Sequence, residues 1–225
     1  GTVIARQLSG GLEGNSVVNF NGGLLKAAAG ANASFLGGLD AATILSGGAR
    51  IDTNGQNLTV SQVLTGSGGF TKSGAGTLTL AAANTYTGPT SVNAGTLSVA
   101  SAFFANTSAI SIASGAVLNL PHGLTDQVAS LTINGTSMPA GIYDSTTSPG
   151  VITGTGKLSV TGAVSAYDTW IAAYPSIPLS DRDPSDDPDA DGSNNAVEFA
   201  LGGVPNNGSG GPKVYSLVAD SSAYV

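Results

Sequence analysis

Ser73–Val99 reads SGAGTLTLAAANTYTGPTSVNAGTLSV, and it carries one phrase twice. Gly76-Thr77-Leu78-Thr79-Leu80 returns as Gly95-Thr96-Leu97-Ser98-Val99, with the two glycines 19 residues apart. Each phrase is a glycine followed by apolar residues at every second position, the pattern of a strand with one buried face. Between them, Asn84-Thr85-Tyr86-Thr87 reads as a polar strand running into the Gly88-Pro89 turn. A strand that returns about every 20 residues, with turns between, describes stacked coils rather than a sandwich.

Working outward, Gly115-Ala116-Val117-Leu118-Asn119-Leu120 follows Gly95 by 20 residues, and Gly156-Lys157-Leu158-Ser159-Val160 lies 41 residues further on. Leu131-Thr132-Ile133-Asn134-Gly135 sits between them. Upstream, Val17–Phe20 runs into Asn21-Gly22-Gly23, and Arg50-Ile51-Asp52 runs into Thr53-Asn54-Gly55. Short strands broken by Asn-Gly also suit hairpins, which are the rival reading. The glycine spacing favours coils, roughly eight of them. Leu78, Leu80, Leu97, Val99, Val117, Leu131, Ile133, Leu158 and Val160 are the expected inward ladders. Asn84, Asn93 and Asn119 are expected at coil corners as turn residues.

The doubled stretch resembles the autotransporter-associated β-strand repeat of bacterial surface proteins. Gly74, Gly76, Thr77, Leu78, Leu80, Asn84 through Gly88, Thr90, Val92, Gly95, Thr96, Leu97 and Val99 fit its pattern, and Pro89 departs from it. The resemblance implies an all-β fold, a right-handed parallel β-helix (solenoid), exported to or beyond the outer surface of a Gram-negative-type bacterium. It implies no particular activity. Met138–Tyr143, followed by Val151–Gly156, resembles the closing segment found after such repeats and reads as the last coil. The tail from Ala163 onward is expected to cover the open end, because unpaired strand edges invite end-to-end growth.

Composition fits this reading. The 225 residues include 33 glycines, no cysteine and only 9% charged residues, against about 25% in an ordinary soluble domain. Residues 1–162 carry five basic and five acidic side chains, so the whole net charge of −7 lies in residues 163–225. Such a shift marks a boundary. The expected organisation is a β-helix over 1–162, then a helix with an acidic loop over 163–212, then the start of an incomplete β domain over 213–225. The acidic balance and the absence of any basic cluster argue against nucleic acid and anionic membrane as partners. No apolar run is long enough for a membrane-inserted helix in this segment. The chain opens at Gly1 with no methionine and no signal peptide, and is expected to be a mature or excised piece of something longer.

The sharp constellation lies in the tail. Asp187-Pro188-Asp189-Ala190-Asp191-Gly192-Ser193-Asn194-Asn195-Ala196-Val197-Glu198 fits D-x-D-x-D-G-x5-E without a gap. Calcium takes six to eight hard oxygens at about 2.3–2.6 Å, and alternate carboxylates on a tight loop supply them. Asp187, Asp189, Asp191, Ser193 (through its carbonyl), Asn195 and Glu198 are the expected Ca2+ ligands, with Gly192 making the turn. Asn194 stands where such loops place an aliphatic residue, and Pro184 and Pro188 exclude a regular incoming helix. The loop is therefore similar to a half EF-hand of the dockerin or thrombospondin type 3 kind. With Phe199–Pro205 it resembles a module near the C-terminus of large secreted proteins of Verrucomicrobia and Planctomycetes. An acidic, solvated linker is the competing reading, and Asp181, Asp183 and Asp186 are candidates for a second ion. Trp170, in a short helical stretch ended by Pro175, is expected to anchor the tail to the rod.

Signals for catalysis are poor. The ten charges of residues 1–162 are scattered, the lone His122 sits at a turn, and no nucleophile, zinc or phosphate motif is present. The expected function is non-enzymatic: an extracellular stalk, adhesin segment or fibre subunit. Self-association or a surface or polysaccharide ligand is its expected partnership. A carbohydrate-binding or carbohydrate-cleaving β-helix is the alternative.

Overall fold

The computed structural model describes residues 1–10, 15–161, 170–171, 173–202 and 204–206. They fall into two compact units, Gly1–Ala163 and Val164–Val225. The β segment expected over 213–225 lies outside the described residues.

The first unit is a parallel β-solenoid with three faces, and the seven strands stacked in parallel on its first face are separated by six turns of the chain. β1 (Thr2–Ala5), β2 (Leu8–Ser9) and β3 (Val17–Phe20) make the first coil. β4 (Leu24–Ala27), β5 (Ser34–Gly37) and β6 (Ala41–Ile44) make the second, and β7 (Ala49–Asp52), β8 (Leu58–Val60) and β9 (Leu64–Thr65) the third. β10 (Phe70–Ser73) and β11 (Thr77–Leu80) follow, then β12 (Thr90–Val92) and β13 (Thr96–Val99). β14 (Ala109–Ile112), β15 (Val117–Leu120) and β16 (Thr125–Val128) come next. The last coil holds β17 (Ser130–Ile133), then two short strands, β18 (Thr136–Met138) and β19 (Gly141–Tyr143), then β20 (Ile152–Gly154) and β21 (Lys157–Val160).

Parallel pairing from coil to coil sets the repeat. Thr77 pairs with Thr96 and Leu78 with Leu97, so the doubled phrase stacks on itself. On the first face the step is 20 residues from Phe70 to Thr90 and again from Thr90 to Ile110. It is 22 from Thr2 to Leu24 and 26 from Leu24 to Arg50. Those longer early coils, and the insertion in the last one, are why there are fewer turns than the expected eight. The interior is a continuous apolar column in which Leu78, Leu80, Leu97, Val99, Leu131, Leu158 and Val160 are buried. Each such side chain contributes about 2 kcal/mol on removal from water. Val117 is an exception, because it pairs with Thr96 and faces outward while Leu118 and Leu120 take the buried positions. One residue more than the glycine spacing suggested separates the two strands. Ile133 is only half-buried.

Glycine is required at the corners where coils pass closest. Gly95 has φ +65°, and a Cβ there would lie 2.4 Å from the Gly76 carbonyl oxygen. The third face is irregular in the middle coils, and Asn84–Thr87 is not a strand. Asn84 is buried rather than solvated. Its Oδ1 accepts the Leu64 amide at 2.8 Å, and its Nδ2 donates to the Ala82 carbonyl. A side-chain amide thus replaces a ladder bond. Asn119 joins a polar row, donating to Ser98 Oγ and accepting from Thr153 Oγ1, while Asn93 is exposed.

Tyr86 follows Asn84 into the interior, where it stacks on Phe70 at 5.9 Å and meets the edge of Phe103 at 5.7 Å. Its hydroxyl is paired with Thr90 Oγ1, and burial pushes its ionisation far above the usual tyrosine range. Lys72 is fully buried and donates to the carbonyls of Ser73, Gly74 and Ala94 at 2.7–3.0 Å. Burial pulls its pKa down to about 8, against the opposing pull of Asp52.

The two strands inserted in the last coil run the other way. β18 pairs antiparallel with β17, and β19 pairs antiparallel with β21. On these two faces the strand edges of β17 and β21 are paired by strands from within the solenoid itself.

Candidate metal centre

In the second unit the acidic loop leads into α1 (Asn195–Leu201). Asn194, the residue out of place for an EF-hand, is the helix N-cap, and its Oδ1 accepts the Val197 amide at 3.0 Å. The helix ends at Gly202, whose φ of +71° lets its amide reach the Glu198 and Phe199 carbonyls.

Loop amides hold the carboxylates. Asp187 Oδ1 accepts the Asp191 amide at 3.2 Å, and Asp187 Oδ2 accepts the Gly192 amide at 3.0 Å. Asp189 Oδ1 also accepts the Asp191 amide, and Asp191 Oδ1 accepts the Ser193 amide at 2.8 Å. Gly192 turns the chain at φ +92°. One oxygen from each of Asp187, Asp189 and Asp191 then lies within 4.8 Å of the others. Like charges at that separation repel by about 1 kcal/mol per pair even in bulk water. Two oxygens bound to one cation at 2.3–2.6 Å stand at most about 5 Å apart, so the three fit a shared Ca2+.

Asn195 and Glu198 are buried on the first turn of α1. Asn195 Nδ2 donates to the carbonyls of Asp181 and Asp183 at 3.1 and 2.9 Å, which fixes the orientation of the amide. Its Oδ1 is buried with no hydrogen-bond partner, and so is Asp189 Oδ2. Glu198 is outside the cluster of three carboxylates. Ser193 is tied into the loop by its amide.

Asp183 and Asp186 are engaged in their own turn: Asp183 Oδ1 accepts from Ser185, and Asp186 Oδ2 accepts the Asp183 amide. Among the described residues they do not converge with Asp181 into a second acidic group. Trp170 meets Tyr174 and Phe199 edge to face at 5.4 and 5.6 Å, so the ring partners described for it belong to this unit. His122 remains a turn residue, its Nδ1 accepting the Leu124 amide. Among the described residues no helix is long and apolar enough to cross a membrane.

The comparisons bear on the solenoid. Residues 70–99 match the family described as Passenger-associated-transport-repeat. The chain is also similar to the adhesin BmaC autotransporter of Brucella suis biovar 1 (strain 1330), with 37% identity over 121 residues. That alignment covers 52% of this chain and 3% of the adhesin, so the chain spans a small fraction of its relative's length. No solved structure matches the chain.

Proposed function

We propose that this chain is a segment of an autotransporter passenger, a non-enzymatic adhesin or structural rod displayed outside a Gram-negative bacterium. The observation that carries this reading is the stacking of Thr77–Leu80 on Thr96–Val99 inside the very stretch that matches the passenger repeat. The adhesin relative supports the surface role. A solenoid rich in Ser, Thr and Asn at outward positions suits an extracellular ligand, protein or polysaccharide. Expression of the parent protein in a Gram-negative host tests the reading. Protease added to intact cells should remove the segment, and its survival until the cells are broken would sink the proposal.

We further propose that Asp187, Asp189, Asp191, the Ser193 carbonyl, Asn195 and Glu198 hold Ca2+ and so stabilise the C-terminal unit. The support is the convergence of three carboxylates, one of which, Asp189, keeps its Oδ2 buried without a donor, and the burial of the Asn195 Oδ1 without one. Calcium would offset the mutual repulsion of the loop and link it to the first turn of α1. Calorimetric titration with calcium checks this, and a flat heat trace at millimolar calcium would dispose of it.

A further inference from the structure

An asparagine followed by glycine is prone to cyclise, because no side chain shields the glycine nitrogen from the asparagine carboxamide. Three such pairs lie among the described residues: Asn21-Gly22, Asn54-Gly55 and Asn134-Gly135. Asn207-Gly208 lies outside the described residues. The surroundings of the three differ. Asn21 Oδ1 accepts the Gly47 amide at 3.0 Å, and the Gly22 amide donates to the Gly48 carbonyl at 2.8 Å. Asn54 Nδ2 donates to the Ala27 carbonyl at 3.0 Å, and the Gly55 amide donates to the Ala75 carbonyl at 3.0 Å. In both pairs a neighbouring coil holds the carboxamide and the glycine N–H. At Asn134-Gly135 neither group has a hydrogen-bond partner among the described residues. Both residues are exposed, and no atom lies within 4 Å of where a Gly135 side chain would begin. The pair is anchored through the Asn134 amide, which donates to the Ile112 carbonyl at 2.9 Å.

We propose that Asn134 is a site of spontaneous modification, converted in the folded protein to aspartate and isoaspartate while Asn21 and Asn54 are preserved. The Gly135 nitrogen attacks Asn134 Cγ. A C–N bond forms, the bond from Cγ to Nδ2 breaks, and Nδ2 leaves as ammonia with the proton of the Gly135 N–H. The product is a cyclic imide, which water opens at either carbonyl. Water added at Cγ gives aspartate. Water added at the backbone carbonyl gives isoaspartate, whose chain runs on through Cβ and Cγ. Each product carries one more negative charge than the asparagine. The β17–β18 hairpin is sensitive to the second product. β18 is joined to β17 by the pairs Ile133–Thr136, Thr132–Ser137 and Leu131–Met138. Thr136 and Ser137 are exposed, and Met138 packs against the core. The two-residue turn therefore sets the register. Isoaspartate adds a methylene to the backbone of that turn, so the three pairs no longer fit together and the outer edge of β17 is released. The inference goes beyond the proposed surface role and calcium site and depends on neither.

The test incubates the folded 225-residue chain in mildly alkaline buffer and follows each Asn-Gly pair by peptide mass spectrometry. Asn134 should convert at least about tenfold faster than Asn21 and Asn54, since each hydrogen bond that must open first slows the attack several-fold. In denaturant the three should convert at similar rates, because the coils no longer hold two of them. Equal rates in the folded chain would overturn the proposal, and so would an Asn134 that outlasts the other two. Hydrogen exchange tests the structural consequence. The β18 amides should exchange on the order of tenfold faster in the isoaspartate form than in the fresh chain. Asn134→Asp supplies the charge without the methylene and should keep the protection of the fresh chain. Full protection in the isoaspartate form, or an equal loss in Asn134→Asp, would overturn the role given to the longer turn.

Discussion

In the solenoid the two buried charged side chains among the described residues stand apart. Lys72 gives its hydrogens to three carbonyls, and Asp126 Oδ2 accepts the amides of Phe103 and Phe104 at 2.9 and 3.1 Å. Each is satisfied by backbone within the fold itself. In the C-terminal unit an oxygen from each of Asp187, Asp189 and Asp191 lies within 4.8 Å of the others, and Asp189 Oδ2 and Asn195 Oδ1 are buried without a donor. The first arrangement is complete as a polypeptide. The second leaves negative charge and acceptor capacity without a counterpart among the described residues, and the proposed calcium would supply one. The solenoid should therefore ignore calcium and the acidic unit should respond to it.

That contrast can be broken or sharpened by measurement. The largest effect belongs to the solenoid's corners. Gly95→Ala combines a left-handed φ with a Cβ 2.4 Å from a backbone oxygen, and should cost about 4 kcal/mol or more. Gly115→Ala has φ +75° but open space, and should cost only about 1–2 kcal/mol. Denaturant melts of both variants separate close packing from backbone strain. Next comes calcium: at a hundredfold excess over its dissociation constant it should stabilise the C-terminal unit by about 2.7 kcal/mol. Chelation, or Asp189→Asn, should lower that unit's transition and leave the solenoid's in place, with hydrogen exchange assigning each transition to its unit. A solenoid transition that moved with calcium would undo the comparison.

Lys72→Met removes a donor from the Ser73, Gly74 and Ala94 carbonyls, of which Ser73's still accepts from Thr53, and should cost about 2 kcal/mol. Lys72 also predicts a pH effect. Its folded pKa is about 8, below the roughly 10.4 of an unfolded lysine. Between those values the unfolded chain binds more protons, so solenoid stability should rise with pH, and Lys72→Met should flatten the rise. The smallest effect is Asp126→Asn. Its oxygen can still accept both amides, so stability at neutral pH should change by less than about 1 kcal/mol. Burial holds the Asp126 carboxyl above its usual range, so the folded state binds its proton more tightly. Stability should therefore fall as pH climbs from the unfolded value of about 3.9, a slope the asparagine variant removes.

Much of the solenoid was legible because alternation and glycine spacing report burial directly, as at Leu78, Leu80, Leu97 and Val99. Where a side chain took over a backbone role the reading failed. Asn84 and Tyr86 sit in a polar run, and nothing local reveals that one amide replaces a ladder bond while the ring fills the core. Lys72 did follow the inward alternation from Phe70, but its charge hides that signal. Asn-Gly pairs show the limit most clearly. Asn54-Gly55 and Asn134-Gly135 share positive φ at both residues. The first turns a coil corner, whereas the second makes a two-residue hairpin between β17 and β18. Which outcome follows depends on whether another coil waits to be paired. In the acidic loop the spacing of Asp187, Asp189 and Asp191 was readable from the sequence. The burial of Asn195 was not, since it depends on carbonyls 12 and 14 residues upstream.

The register of the middle coils has a genetic corollary. Phe70 lies beside Ala49 on one side and Thr90 on the other, with strands parallel throughout. An in-frame loss of codons 70–89 would bring Thr90 against Ala49 with every later pairing intact, and a duplication would add one storey. Unequal crossing-over between the two near-identical phrases, whose spacing is close to this period, can therefore lengthen or shorten such a rod in single steps. Variation in length is open to this lineage without any new fold being invented.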